Sequence, residues 1–227
     1  MTKVFMTGAE GIIGKAIRQQ IPEYSYTCFD LPENDARDYQ KLSTAMKGSD
    51  VAIHLAWNTQ TENWLSDTID PDNIAMTLNV YRAAQETKTR RVIMASSIHA
   101  NDLREWRGPR LLSPSDTPSP DSLYGANKVF MEALGRLYAK KELEVVCIRF
   151  MGINSRDKPA EPSEKDSLAR EKWFSYRDCG NLIRSIVAAS AVPDNFAIVY
   201  GVSNNTGRPA DVVNPFGWMP QDNSSSV

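Results

Sequence analysis

Short runs of β-branched and aromatic residues alternate along the chain with longer segments in which apolar residues recur every three or four positions. The short runs predict strands, and the longer segments predict helices. The predicted strands cover residues 3–7, 25–29, 51–55, 91–95, 144–150 and 196–200, and the predicted helices cover 12–20, 39–47, 72–88, 123–141 and 178–190. This alternation is typical of a parallel sheet covered by helices on both faces. Because crossovers between parallel strands are right-handed, it predicts a doubly wound Rossmann fold of the α/β class.

Two segments interrupt the alternation. Residues 101–122 contain four prolines, and residues 154–170 are rich in charge and proline. Both are predicted to be long loops, which in compact domains often carry function. The polar tail, residues 220–227, is predicted to be frayed. The chain shows no internal repeat or linker, so we expect a single domain over residues 1–227 with a reduced C-terminal substrate region.

Length and charge exclude several classes of protein. A chain of 227 residues fits one α/β domain with a sizeable core. The net charge is −2 and no basic run stands out, so we expect no nucleic-acid partner. The longest apolar runs are far too short to cross a membrane, and strand-like sequence beginning at Lys3 leaves no room for a signal peptide. These observations favour a cytoplasmic protein without a membrane partner.

The three cysteines, at positions 28, 147 and 179, have no spacing typical of a metal site. Cys28 and Cys147 lie within apolar strand-like runs, where a thiol acts as a small hydrophobic group. We therefore expect reduced, buried cysteines and no metal site.

A glycine-rich turn connects the first predicted strand to the first predicted helix. It reads Thr7-Gly8-Ala9-Glu10-Gly11-Ile12-Ile13-Gly14. The glycines permit a tight turn and a close approach of the backbone to a pyrophosphate, and N–H groups at the start of the helix favour the anion. Asp30 ends the second strand, where a carboxylate binds the ribose hydroxyls of NAD and repels the 2′-phosphate of NADP. The pattern predicts an NAD site.

A second motif, Tyr124-Gly125-Ala126-Asn127-Lys128, lies on a predicted helix. Residues four apart share a helix face, so the ammonium of Lys128 can lie near the phenol of Tyr124. A nearby cation lowers the pKa of a phenol from its usual value of about 10, which suits Tyr124 as a general base for the oxidation of an alcohol.

The motifs together resemble the extended short-chain dehydrogenase/reductase family, which has the spacing Gly-x-x-Gly-x-x-Gly. The fourth strand ends in Ser96-Ser97, and the second serine of such a pair is catalytic in that family. The resemblance therefore implies a catalytic set of Ser97, Tyr124 and Lys128, in which Ser97 orients the substrate hydroxyl. Lys128 and Tyr124 would also contact the cofactor.

Further segments resemble one branch of this family, the uronate dehydrogenases and related archaeal sugar dehydrogenases. These segments are Ala95–Ala100, Pro120–Gly125, Lys172–Asp178, Val199–Asn205 and Trp218–Asp222. Two positions depart from the pattern. Ile98 replaces an asparagine beside the catalytic serine and removes a polar contact, and Asn127 replaces a serine.

The resemblance implies roles for other residues. Asp38 matches an aspartate that contacts the adenine amino group, and Leu55 and Ala56 match a segment beside the cofactor. Asn73 and Asn79 match two family asparagines, which we interpret as satisfying backbone groups. His54 ends an apolar strand, and we interpret it as a hydrogen-bonded structural histidine.

Substrate contacts are implied for three residues. His99 and Thr59 match substrate-facing positions of the family. Arg170 precedes the segment at Trp173 and could clamp a carboxylate through two hydrogen bonds, although a solvated surface arginine fits the pattern equally well. Substrate-binding elements are expected mainly from residues 97–122 and 151–227.

These features favour an NAD-dependent sugar dehydrogenase that oxidises a hexuronate or similar aldose at the anomeric carbon to an aldonolactone. The alternatives are a nucleotide-sugar epimerase or dehydratase with tightly held NAD, a sugar-phosphate dehydrogenase, and a non-catalytic protein that senses NAD. The family resemblance also implies a homodimer built on helices 72–88 and 123–141.

Overall fold

The computed structural model describes residues 1–103, 106, 108–140, 143–164 and 166–227. Its strands are β1 (Lys3–Thr7), β2 (Ser25–Phe29), β3 (Val51–His54), β4 (Arg91–Ser97), β5 (Glu144–Phe150) and β6 (Phe196–Gly201). Its α-helices are α1 (Ile12–Gln20), α2 (Tyr39–Met46), α3 (Pro71–Thr87), α4 (Leu123–Ala139) and α5 (Tyr176–Ala188). Every predicted strand and helix is present, with ends within two residues of those predicted.

The six strands form one parallel sheet in the order β2-β1-β3-β4-β5-β6. The chain moves from β1 to β2 on one side and then crosses over to β3 on the other. The carboxyl ends of β1 and β3 therefore flank a topological switch point, where open α/β sheets bind their ligands. This order confirms the doubly wound Rossmann fold.

Helices cover both faces of the sheet, as the apolar strand sequences require. One face packs against α1 and α5 through a cluster that includes Ile17 and Ile183. The opposite face packs against α2, α3 and α4 through a second cluster that includes Leu42 and Met131. A smaller cluster lies beyond the carboxyl ends of β4, β5 and β6 and holds loop residues such as Leu112 against Val202. The loop segments are thereby packed above the sheet edge that carries the switch point.

The two long loops were predicted correctly. The described part of residues 101–122 contains no helix or strand beyond the isolated bridge between Leu112 and Ala210. The described part of residues 154–170 likewise contains no helix or strand beyond the isolated bridge between Ser163 and Asp166.

Two local predictions are wrong. Residues 220–227 are docked, because the buried carboxylate of Asp178 accepts hydrogen bonds from the N–H groups of Gln221 and Asp222, and Ser224–Ser226 form a 3₁₀ turn. Cys28 is exposed, because β2 is an edge strand whose outward residues meet solvent. Cys147 is buried as expected.

In the described part of the chain, no helix is long and apolar enough to cross a membrane. The same residues contain no cluster of three or more metal-ligating side chains.

Candidate active site

The glycine turn lies directly against the end of β3. Gly8 has a φ of +70°, and a Cβ atom at this position would come within 2.6 Å of the Ala56 backbone nitrogen. Only glycine therefore fits between β1 and the segment that follows β3. Gly11 is the N-cap of α1 and has no side chain to accept hydrogen bonds from the first turn. The free start of the helix and the closely packed glycines fit a pyrophosphate, as the Rossmann cofactor site requires.

Asp30 lies beside this turn, just after β2. Its carboxylate accepts hydrogen bonds from the N–H of Ala9 at 3.1 Å and from the N–H of Glu10 at 3.4 Å. A negative charge is thus fixed at the edge of the glycine turn, where the sequence predicted the ribose-binding carboxylate.

This charge leads to a prediction about the cofactor. We expect kcat/KM to be about tenfold or more higher with NAD than with NADP. The 2′-phosphate of NADP would lie close to the partly buried carboxylate of Asp30, and the two negative charges would repel each other. Asp30→Ala should lower the ratio of kcat/KM with NAD to kcat/KM with NADP. Asp50→Ala is a matched control, because Asp50 binds the N–H of Lys3 at the opposite end of the sheet. Equal use of NAD and NADP by the wild type would refute the assignment.

Several residues near the cofactor turn hold the scaffold together. Asn73 accepts a hydrogen bond from the N–H of Asn58 at 2.7 Å, and Asn79 donates to the carbonyls of Ala36 and Arg37. The structural interpretation of both asparagines is confirmed. Asp38 caps α2 by accepting from the N–H of Lys41 at 3.1 Å.

His54 is also structural, as predicted. Its Nδ1 lies 2.7 Å from the Thr7 hydroxyl within the sheet core. Burial lowers the pKa of His54 to about 3, and the charge of Lys128 acts in the same direction. The ring is therefore neutral at physiological pH.

Ser97, Tyr124 and Lys128 line one cavity of about 410 Å³. Ser97 is the last residue of β4, and the other two occupy the first two turns of α4. Ile13 and Leu55, two of the residues implied for cofactor binding, line the same cavity. The structure thus brings the predicted catalytic set to the switch point, beside the glycine turn.

Lys128 is held in this cavity by its surroundings. Its side chain is buried, and its Nζ donates to the Ala95 carbonyl at 3.0 Å and lies 3.3 Å from the ring centroid of Trp57. Burial lowers the pKa of Lys128 to about 7, while the carboxylates of Glu62 and Glu132 act against this shift. The cation–π contact with Trp57 favours the charged form.

Tyr124 lies close to the same ammonium, with its ring centroid 5.3 Å from Nζ of Lys128. Burial raises the pKa of Tyr124 to about 12, and a hydrogen bond with Ser97 acts in the opposite direction. The lowered pKa that the spacing from Lys128 predicted for this phenol is therefore not present, because burial outweighs the favourable contacts.

Close packing fixes the start of α4 against β4. A Cβ atom on Gly125 would lie 1.9 Å from the carbonyl oxygen of His99, so a side chain there would push the helix away. The residue after Tyr124 must therefore be glycine if the phenol is to stay beside Ser97.

His99 lines the same cavity beside Tyr124, with the two ring centroids 6.0 Å apart, and the family resemblance had placed it at the substrate. Its Nδ1 is 2.9 Å from both carboxylate oxygens of Asp121, and its ring stacks on Trp64 with a centroid distance of 5.4 Å. A carboxylate at Nδ1 fixes the orientation of an imidazole. His99 is therefore presented to the cavity in one defined pose.

The other implied substrate residues divide into two groups. Thr59 and Ile98 line the cavity, as expected from their positions. Arg170 does not line it. Its guanidinium binds Glu161 at 2.8 Å and the Ser224 carbonyl at 2.9 Å, so the carboxylate-clamp geometry implied for Arg170 is absent from this structure. Lys172, two residues later, lines the cavity instead.

Glu62 is a buried residue that the sequence reasoning missed. Its carboxylate accepts from the N–H of Asp70 at 3.0 Å and from the side-chain amides of Asn73 and Asn127, each at 2.9 Å. Asn127 lies on α4 between Tyr124 and Lys128, so Glu62 connects the loop after β3 to the helix that carries these two residues. The only signal in the sequence is the unusual Asn127 in the Tyr-x-x-x-Lys motif.

Every described hydrogen-bond partner of the Glu62 carboxylate is a donor, so replacing the carboxylate by an amide should destabilise the fold. Glu62→Gln must place an NH₂ group against donors, and we expect the free energy of unfolding to fall by about 1–3 kcal/mol. Urea denaturation followed by circular dichroism measures this change. Glu161→Gln is the control, because Glu161 is exposed and its ion pair with Arg170 contributes at most about 1 kcal/mol. Equal stability of the two variants would contradict the prediction.

Comparison with known proteins places this site in a family. The sequence pattern of the NAD dependent epimerase/dehydratase family matches residues 4–168, which include the glycine turn, Ser97, Tyr124 and Lys128. The chain belongs to the NAD dependent epimerase/dehydratase family. This membership agrees with NAD as the cofactor, and with an oxidoreductase built on the extended short-chain dehydrogenase/reductase plan.

Three members of this family illustrate the similarity. The L-arabinose 1-dehydrogenase (NAD(P)(+)) of Haloferax volcanii is 32% identical, with 100% of this chain and 99% of the relative covered. The structure of glucuronic acid dehydrogenase from Chromohalobacter salexigens has a TM-score of 0.82 at 27% identity, covering 99% of this chain and 86% of that one. A variant of uronate dehydrogenase from Agrobacterium tumefaciens in complex with NAD has a TM-score of 0.81 at 25% identity, covering 100% and 87%. All three of these similar proteins are named as sugar dehydrogenases.

Proposed function

We propose that this chain oxidises the anomeric C–OH group of a free aldose or hexuronate to an aldonolactone, with NAD as the oxidant. One observation carries the proposal: the same cavity, beside the glycine turn, is lined by Ser97, Tyr124 and Lys128. The cavity volume of about 410 Å³ lies in the range of small-molecule sites. The sugar dehydrogenases among its relatives support the same reaction class.

In this proposal, the residues of the chain position the sugar and move one proton. The Ser97 hydroxyl donates a hydrogen bond to the anomeric oxygen of the sugar. Tyr124 takes the proton of the anomeric hydroxyl as the anomeric C–H bond breaks. The ammonium of Lys128 favours the ionised phenol. Bound NAD supplies the hydride acceptor. The glycine turn, with Gly8, Gly11 and Gly14, would hold the pyrophosphate, and Asp30 the adenosine ribose.

The proposed substrate elements lie within a single domain over residues 1–227. The cavity is lined by residues 97–99 at the end of β4 and by parts of residues 150–172, and Trp57, Thr59 and Trp64 add a third wall. Ile12, Ala56 and Asp38 belong to the proposed cofactor side.

The test is a screen for NADH formation at 340 nm with neutral aldoses, hexuronates and sugar phosphates. Steady production of NADH with a free sugar, and of the matching lactone, supports the proposal. An epimerase or dehydratase would convert a nucleotide sugar without net NADH. A protein that only senses NAD would bind the cofactor in calorimetry and turn over none of the sugars. Either result would refute the proposed reaction.

A further inference from the structure

The charges around the cavity bear on which sugar it accepts. Among the described residues that line it, the cationic side chains are Lys128, Lys172 and, when protonated, His99. Lys128 already has a role in the proposed reaction, and its Nζ donates a hydrogen bond to the Ala95 carbonyl. Within the described lining, a substrate carboxylate or phosphate would therefore depend on Lys172 and His99 for its counter-charge.

Lys172 is already paired. Its Nζ lies 2.8 Å from the carboxylate of Asp166, which lines the same cavity. The backbone of Lys172 is fixed as well, because its carbonyl accepts from the N–H of Gly152 at 2.8 Å. The side chain of Lys172 is only 17% exposed. An anionic substrate group that reached Lys172 would lie beside the negative charge of Asp166.

His99 adds no net positive charge either. The Asp121 carboxylate, itself buried, faces Nδ1 of the ring at 2.9 Å. A neutral His99 with its proton on Nδ1 presents Nε2 as an acceptor, which suits a sugar hydroxyl and repels a carboxylate. A protonated His99 forms a pair with Asp121 whose charges cancel.

None of the other described lining residues supplies a cation: Thr59 and Asn154 are polar but uncharged, and most of the others are apolar. Ile98 and Ile153 line the cavity, and Arg170 is bound to Glu161 and to the Ser224 carbonyl outside it. The carboxylate of Asp166 can accept hydrogen bonds from the hydroxyls of a neutral sugar.

We propose that the Lys172–Asp166 pair makes this cavity select a neutral aldose over a hexuronate or a sugar phosphate, with Asp166 as the specificity-determining residue. The inference rests on the proposed function, whose reaction it leaves unchanged. The opposite arrangement, a free cation at the far end of the sugar, would favour the acid through charge-assisted hydrogen bonds.

The experiment compares kcat/KM for sugars that differ only at C6. The matched sets are galactose with galacturonate, and glucose with glucuronate and glucose 6-phosphate. For the wild type, we expect each neutral sugar to be used about tenfold or more better than its anionic partner, because like-charge contact with a desolvated group opposes the anion. A wild-type preference for either acid or for the phosphate overturns the proposal.

Asp166→Asn tests the residue. It frees the ammonium of Lys172, so the ratio of acid to neutral sugar should rise by about tenfold. Adding Lys172→Met to this variant should cancel the rise. Glu161→Gln is the matched control, because it frees Arg170 outside the cavity and should leave the ratio unchanged. An unchanged ratio in Asp166→Asn, with the wild-type unfolding temperature, would overturn the role of Asp166.

The outcomes separate the two proposals. If wild-type enzyme that binds NAD forms no NADH with any aldose, hexuronate or sugar phosphate of the wider screen, the proposed function fails and the specificity proposal fails with it. If NADH forms but the acids are preferred, only the specificity proposal fails. The wild-type ratios decide this even if Asp166→Asn does not fold.

Discussion

Replacing Tyr124 by Phe should lower kcat by about a hundred- to ten-thousand-fold, the usual contribution of a positioned general base. The phenol ring lies 5.3 Å from the Lys128 ammonium, and its hydroxyl shares a hydrogen bond with Ser97 within the cavity. Phe preserves the ring and its edge contact with Trp57, whose centroid lies 6.0 Å away. The loss should therefore be chemical and should leave the fold intact.

Steady-state NADH formation measures the loss, and calorimetric titration with NAD should show nearly unchanged cofactor affinity. Tyr138→Phe is a control on the same helix, because Tyr138 stacks on Tyr81 at 5.2 Å on the side packed against α3. That variant should keep kcat close to the wild-type value. Turnover by Tyr124→Phe at a near-wild-type rate would show that another group is the base.

The fold and the centre of the site could be predicted because their signals are local. The spacing of apolar residues that distinguishes strands from helices can be recognised within a few consecutive residues. A parallel sheet then brings the carboxyl ends of its strands to one edge. Tyr124 and Lys128 share a helix face whatever the tertiary structure is. The strand pattern places Ser96-Ser97 at the end of β4, and the family resemblance singles out Ser97.

The errors and the open choices concern residues whose surroundings are set by distant parts of the chain. The sequence left Arg170 open between a carboxylate clamp and a surface arginine, and Glu161 and the Ser224 carbonyl hold it outside the cavity. The apolar run containing Cys28 gave no sign that β2 would be an edge strand. The polar tail appeared free because its anchor, Asp178, lies more than 40 residues earlier.

Glu62 shows the same limit for the site. Its partners lie on the loop after β3, at the start of α3 and on α4, and they converge only in the folded chain. Nothing in the residues beside Glu62 indicates a buried carboxylate. Lys172 and Asp166 were likewise missed, because their pairing depends on how the loop after β5 folds over the cavity.

Removing the cation from the buried ion pair between Arg149 and Glu132 should destabilise the protein more than the Glu62 substitution does. Arg149 lies on β5 and is fully buried, and Glu132 lies on α4 one turn beyond Lys128. Nε and Nη2 of the guanidinium each donate to one carboxylate oxygen at 2.8 Å. The Ser96 hydroxyl also donates to Glu132 at 2.6 Å, so the pair joins α4 to β4 and β5.

Arg149→Met leaves the Glu132 carboxylate buried without its cation, and we expect the free energy of unfolding to fall by about 3–5 kcal/mol. Urea denaturation of the wild type, of Arg149→Met and of the double variant Arg149→Met/Glu132→Leu measures both the loss and its origin. Two apolar residues remove the uncompensated charge, so the double variant should be more stable than Arg149→Met alone. Its stability should stay below that of the wild type, because the Ser96 hydroxyl loses its acceptor. A double variant no more stable than Arg149→Met would show that lost packing, rather than the stranded carboxylate, causes the destabilisation.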